Sequence, residues 1–230
     1  MADTDLSYAS LNAVDGGEGE RRYKQDGSPL IPAIMIDGEV FNFQHPSQIA
    51  SLLELDVEGS QPSTAVAWSL LDVLQRWVEV IRDVPFPELL APTPSRDRTI
   101  RNLTVNVFRP IAYLPQTWID HQFNWYTNDA DLQQESFLRT TEQLVSFAAA
   151  GALELNGFLL DHGDDLSERD PTIDGNRGEM PYSALLVTQR FHAAFHYRQI
   201  VDHLRNAGVA GNPPLPEAMV KEIGLPPNLY

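Results

Sequence analysis

Two imidazoles one helical turn apart, His192 and His196 of the segment HAAFH, are the chemistry-bearing feature of this 230-residue chain. At 100° per residue, positions i and i+4 share one face, so both rings can converge on one point. Such a pair suits a divalent metal ion or a proton transfer, because neutral imidazole carries a lone pair and titrates near neutral pH. The plainer alternative is a pair of buried polar residues satisfied by Asn106, Gln189 or Tyr113. His203 follows His196 on the same face but ~10 Å along the helix, too far to share a metal. The chain has no cysteine. Disulfides, thiolate ligands and a cysteine nucleophile are therefore excluded, and any thiol chemistry must use a thiol from a small molecule.

The helix carrying the pair is expected over Pro181–Gly208. Leu185, Leu186, Phe191, Phe195, Ile200, Val201 and Leu204 recur there at helical spacing, and Gly208 ends the run. Three further helices are expected. The first is Ser63–Asp83, capped by Ser63, with Val66, Leu70, Leu74, Val78 and Ile81 as its stripe. The second runs from about Ile100 to Trp125, capped by Thr99 and split or kinked at Pro110 and Pro115. The third spans about Leu132–Leu160, loosened near Gly151 and Gly157. Pro85–Pro94 and Asp161–Met180 are expected as loops, the latter a solvated lid whose acidic start lacks the spacing of a calcium loop. These segments imply a four-helix bundle over residues 63–208, with a proline-rich tail over 209–230.

Residues 1–56 have a different texture, β-α-β-β-α. A strand at Leu6–Val14 and a short polar helix at Gly17–Gly27 precede a strand at Ile31–Ile36. The Asp37-Gly38 turn leads to a strand at Glu39–Phe43, and then to a helix at His45–Leu55. Residues 57–62 are the linker. The expected fold class is α+β, a small β-α-β-β-α unit docked on a four-helix bundle.

Thirty-two acidic against 16 basic residues give a net charge of −16, a field that repels nucleic acid. No window approaches the ~18 apolar residues of a membrane span. With an acidic, polar N-terminus, the reading is a cytoplasmic protein acting on a small molecule, without nucleic-acid or membrane partners. Arg109 and Arg198 are candidates to hold a ligand carboxylate, against the plainer reading of surface ion pairs. Tyr113, Trp118, Phe123, Trp125, Tyr126, Phe191, Phe195 and Tyr197 form an aromatic set that is either core or the wall of an apolar pocket. Glu154, or the acidic segment Asp161, His162, Asp164 and Asp165, could complete a metal site.

HAAFHYRQIVDHLRNAG resembles the closing H-x-x-x-H helix of the DinB/YfiT-like metal-binding bundles, and SRDRTIRNLTVNVFRPIAYL is similar to that family's second helix. A histidine normally gives the third ligand there; this chain has Asn106. The resemblance implies a divalent metal, zinc or nickel, at His192, His196 and Asn106, beside a pocket of Asn106, Tyr113, Trp118 and Phe195. SLNAVDGGEGERRYKQDGSPLIPAIMIDGEVF looks like the later part of a glutaredoxin/thioredoxin-like fold without its redox-cysteine segment. Ile31-Pro32 stands at the cis-proline position, which in such folds is a ledge for the cysteine moiety of a low-molecular-weight thiol. A thioredoxin-like piece before a helical domain is similar to the glutathione transferase plan.

Together these readings lead to a thiol-dependent transferase, lyase or isomerase acting on an apolar or aromatic electrophile. His192 or His196 would activate the thiol, directly or through a metal. The alternatives are a metal-dependent hydrolase at the same histidines and a non-catalytic ligand-binding protein with a decayed site. The edge of the small unit's sheet could pair two copies into a homodimer.

Overall fold

The computed structural model describes residues 17–25, 33–42, 63–93, 98–123, 128–175, 178–209, 211 and 213–226. The chain divides into two compact units, residues 1–58 and 59–230, and its structure is mixed helix and strand. The expected strand at 6–14, the helix at 45–55, the linker, Ile31-Pro32, Trp125 and Tyr126 lie outside the described residues.

In the smaller unit, α1 (Glu18–Gln25) places Glu18 and Glu20 in its first turn and Arg22 and Lys24 in its last, matching the helix dipole. Lys24 pairs with Glu20 across one turn. The hairpin β1 (Ala33–Ile36) and β2 (Glu39–Asn42) closes between Ile36 and Glu39. Asp37 and Gly38, with φ of 51° and 90°, supply the left-handed pair that a tight hairpin turn requires. The Arg22 guanidinium reaches the Met35 sulfur at 3.2 Å.

In the larger unit the elements are α2 (Ser63–Arg82), α3 (Phe86–Leu89), α4 (Ile100–Ile111), α5 (Leu114–Asp120) and β3 (Gln122–Phe123). Next come α6 (Asn128–Phe137), α7 (Thr141–Glu168), β4 (Thr172–Gly175), β5 (Gly178–Pro181), α8 (Tyr182–Asn206) and α9 (Glu217–Ile223). α2 packs on α7 and α8, and α4 packs on the same two. The stripe Val66, Leu70, Leu74, Val78 and Ile81 is buried along α2. Thr99 caps α4 by accepting from the Asn102 N–H at 3.0 Å. Pro110 in the last turn of α4 and Pro115 in the first of α5 split the expected second helix.

Five expectations are corrected. The third helix is two helices, α6 and α7. The break is a cap: the Thr140 hydroxyl accepts from the Gln143 N–H at 3.2 Å, and the Gln143 side chain accepts from the Arg139 N–H at 2.7 Å. Nor is α7 loosened at its glycines. A Cβ at Gly151 would lie 3.4 Å from the Phe108 ring, so this glycine lets α7 approach α4 closely.

Residues 161–168 are not a loop but the last turns of α7. Leu159 and Leu166 are both buried there, and the Thr64 hydroxyl donates to the Gly163 carbonyl at 2.8 Å. Beyond α7 the chain forms a hairpin, β4 against β5, with β3 parallel to β4. The tail is also built: α9 is flanked by buried Leu215 and Leu225 and tied to α8 by Arg190–Glu222 at 3.0 Å. Finally, α7 carries an 18-residue window of mean hydropathy 1.3, long and apolar enough to cross a bilayer. Here it buries Leu144, Ala148, Leu155 and Leu159 against the other helices.

The joint of the larger unit is Trp77. Its ring centroid lies 5.9 Å from that of Phe108 on α4 and 6.3 Å from that of Tyr197 on α8. Its indole N–H donates to the buried Thr104 hydroxyl at 3.0 Å. Trp77→Ala leaves a cavity against three helices, so the unfolding free energy should drop by about 3–5 kcal/mol in urea denaturation. A loss below about 1 kcal/mol would show that the helices hold one another without it.

Candidate functional site

α8 begins behind Pro181 and ends in a Schellman motif. Gly208 takes a φ of 77°, and the Val209 N–H returns to the Leu204 carbonyl at 2.9 Å. Between these ends Gln189, His192, His196 and Gln199 succeed one another at steps of three, four and three, which places them along one face. α4 faces this stretch and brings Asn106 to it.

His192 Nε2 lies 3.1 Å from Asn106 Oδ1. The His192 and His196 rings meet edge to face, with centroids 4.7 Å apart. His196 Nδ1 lies 2.7 Å from Gln199 Oε1. With both amides in these orientations, each imidazole is the donor: His192 through Nε2–H and His196 through Nδ1–H. The basic lone pair is then Nδ1 in His192 and Nε2 in His196. His192 is half-buried, and burial first, then His196 and Arg98, pushes its pKa well below the ordinary imidazole value. It is a neutral group at physiological pH.

Of the residues expected at this site, His192, His196 and Asn106 come together. Phe195 packs edge-on against His196, 5.7 Å between centroids, and stacks parallel on the exposed Phe191 at 6.2 Å. Phe195 is half-buried at the edge of the core and Phe191 is exposed; the buried aromatics of α8 are Tyr182 and Tyr197. Trp118 belongs elsewhere. It packs on Tyr182 and Phe158 at 5.1 and 6.2 Å, under the Arg169 guanidinium, as structural core.

Arg198 donates to the Pro226 carbonyl at 2.6 Å and so helps hold the C-terminal segment. Arg109 pairs with Asp131 of α6. Tyr113 is exposed and, with Arg109, Phe137 and Phe147, lines a half-open groove of about 490 Å³, one turn of α4 beyond Asn106. Glu154 and Asp161 are exposed on α7, and His162 pairs with Asp165 at 3.2 Å on the same helix, so none of these joins the histidines. Ile31 and Pro32 lie outside the described residues.

Sequence reasoning passed over Gln199, which orients His196, and the α6 carboxylates that engage Arg101 and Arg109. Gln199 was legible as the next polar residue on the His192–His196 face. Asp131 and Glu135 carried no such signal, because their partners lie on another helix.

The donor set bears on the metal question. Catalytic zinc is held by three groups drawn from His, Asp, Glu and Cys. Here two imidazoles meet one neutral amide oxygen, a hard and weak donor for zinc or nickel, and His192 Nε2 already faces that oxygen. Among the described residues no group of three or more His, Asp or Glu side chains is placed to hold a metal ion. The residues do not fit that kind of centre.

The depressed His192 pKa fixes a pH dependence. Below the ordinary value of 6.5 the unfolded chain takes up a proton that the folded protein refuses. This contribution to stability is therefore intact above about pH 6.5 and is lost as the pH falls toward the lower folded value. Urea midpoints of the wild type should fall between pH 7.5 and 5.5, and His192→Gln should flatten that fall. An equal fall in both proteins would mean that His192 is not the group responsible. No family model, curated protein or solved structure matches this chain.

Proposed function

We propose that the chain is a small-molecule enzyme of the thiol-dependent transferase, lyase or isomerase type, in which His196 is the general base. The observation that carries this reading is the His196–Gln199 contact of 2.7 Å beside a second, neutral imidazole. A base held at one ring nitrogen by an orienting partner directs its other nitrogen at the reactant. The proton of a bound thiol passes from sulfur to His196 Nε2, leaving a thiolate next to an imidazolium. Because His192 stays uncharged, that imidazolium forms without a second cation 4.7 Å away. The thiolate sulfur then forms a bond to the electrophilic carbon: in a substitution the leaving group departs with its bonding pair, and in an addition the His196 imidazolium returns its proton to the carbanion formed.

Two further features support a ligand here. Gln189, one turn before His192 on the same face, buries an Oε1 with no hydrogen-bond partner, an acceptor suited to a ligand N–H or O–H. The groove of Arg109, Tyr113, Phe137 and Phe147 has the aromatic walls an apolar electrophile needs.

In this reading the larger unit is a DinB-like bundle with Asn106 at the third ligand position. The smaller unit, taken by itself, is read as a truncated thioredoxin-like fold, of which the helix and the Asp-Gly hairpin are among the described residues. The setting is the cytoplasm, where small thiols stay reduced. One observation favours a second reading, a non-catalytic thiol-binding protein: the site offers an amide where the resembled family has a histidine.

Glutathione with 1-chloro-2,4-dinitrobenzene is a suitable probe pair. His196→Ala should lower kcat/KM by about 10²-fold or more, as loss of a general base does, while glutathione binding by calorimetry is kept. Gln199→Leu should cost less and shift the pH profile. Binding without turnover in the wild type would select the second reading, and no thiol binding at all would overturn both.

A further inference from the structure

α6 is built inside out. A surface helix normally docks through an apolar stripe and shows its polar residues to water. α6 instead buries Asp131 and Glu135, each 8% exposed, and leaves Leu132 and Phe137 61% and 63% exposed. Its packing is chiefly against α4, and the contacts there are ionic. Arg109 holds Asp131. Arg101 holds one oxygen of Glu135 at 2.9 Å, and the Asn102 amide holds the other at 3.1 Å. Arg101 also donates to the Leu138 carbonyl at 3.4 Å.

Asn102, Asn106 and Arg109 stand at i, i+4 and i+7, on one face of α4. The two outer residues are taken by α6, and the middle one meets His192. α6 therefore spans the stretch of α4 at whose centre the candidate site lies. Three of its residues, Gln133, Gln134 and Phe137, form one side of the groove whose other side carries Arg109 and Tyr113.

We propose that α6 is a charge-latched lid over the polar face of α4, closed by Asp131 and Glu135 and opening to admit ligand to the groove and to Asn106. The case is one of relative cost. Undocking a helix held by apolar side chains exposes those side chains to water and is opposed by the hydrophobic effect. Among the described side chains of α6, undocking exposes little that is apolar, since Leu132 and Phe137 face water already; Leu138, just beyond the helix, is the buried exception. The carboxylates and guanidinium groups regain hydration on release, which offsets much of the lost attraction. Among the described side chains of α6, opening is therefore opposed chiefly by the ionic contacts. What the lid covers rests on the proposed site, whereas the latch rests on the contacts alone.

Hydrogen exchange of the full chain without ligand tests the latch. In Asp131→Asn/Glu135→Gln, amides of 132–138 should exchange at least tenfold faster, with those of α2 and α8 unchanged. Swapping the charges of one pair instead, Arg109→Asp with Asp131→Arg, should keep protection close to that of the wild type. In the wild type, raising sodium chloride from 50 to 500 mM should accelerate the same amides selectively, a readout that stands even where a variant fails to fold. Unchanged α6 exchange at every salt concentration, or acceleration spread equally over the helices, would overturn the lid. Because no thiol or electrophile is present, an opening lid on a protein that turns over no thiol would sink the function and leave the lid standing.

Discussion

The larger unit depends on satisfying one indole N–H in a dry place. Trp77 is fully buried, and a buried N–H without an acceptor costs roughly 1–3 kcal/mol. The Thr104 hydroxyl meets it and passes its own proton to the Ile100 carbonyl at 2.8 Å. That short chain of donors fixes the rotation of α4 about its axis, because Thr104 must point at α2. Asn106, two residues on, is then turned to another side, toward α8. The Trp77 ring meets Tyr197, the neighbour of His196, and so sets the height of α8. Burial holds the Tyr197 hydroxyl up to about 12, and it donates to the Pro213 carbonyl at 2.8 Å. The encounter of Asn106 with His192 is therefore a consequence of core packing on the opposite side of α4.

This arrangement forces α4 to serve two masters. One side of the helix is core: Leu103, Val107, Phe108 and Ile111 are all buried. The remaining polar side is shared between the imidazoles of α8 and the carboxylates of α6. Polar groups in such a half-dry seam must each find a partner. Asn102 and Asn106 do so in opposite directions, and Arg101 and Arg109 neutralise the carboxylates that α6 brings to the seam.

Legibility in the sequence tracked how locally each feature was determined. The histidine helix and its glycine stop, the α2 stripe, the Thr99 cap and the Asp-Gly hairpin are set by residues a few positions apart, and each was readable. The break before α7 was equally local, written in Thr140 and Gln143, but the apolar run across it concealed it. The acidic end of α7 has loop composition and stays helical because Leu166 finds the core and Thr64 grips Gly163, contacts made across a hundred residues. The tail is similar: Leu215 and Leu225 acquire meaning only against α8. In the site, the spacing of His192 and His196 was visible, and Asn106 entered by its place in a resembled pattern. Tyr113 and Trp118 share the α4–α5 region of the sequence, yet only Tyr113 lines the groove. The turn between α4 and α5, at the two prolines, sends their side chains to different places.

The amide at position 106 changes what the pair of histidines can do. A third imidazole there would join two others around a cation and make all three into ligands. An amide oxygen instead accepts one hydrogen bond, fixes the tautomer of His192 and leaves that ring neutral. The two histidines cease to be equivalent. His192, with its pKa depressed by burial and by its neighbours, is a poor proton acceptor and a steady dipole. His196, held by Gln199 at Nδ1, is the ring to which the proposed function gives the proton transfer. An asparagine at that position is thus compatible with the proton-transfer role proposed for HAAFH. In the proposed function the chemistry rests on a single oriented base, where charge appears only when a proton arrives, in place of a metal centre, where the ion supplies it.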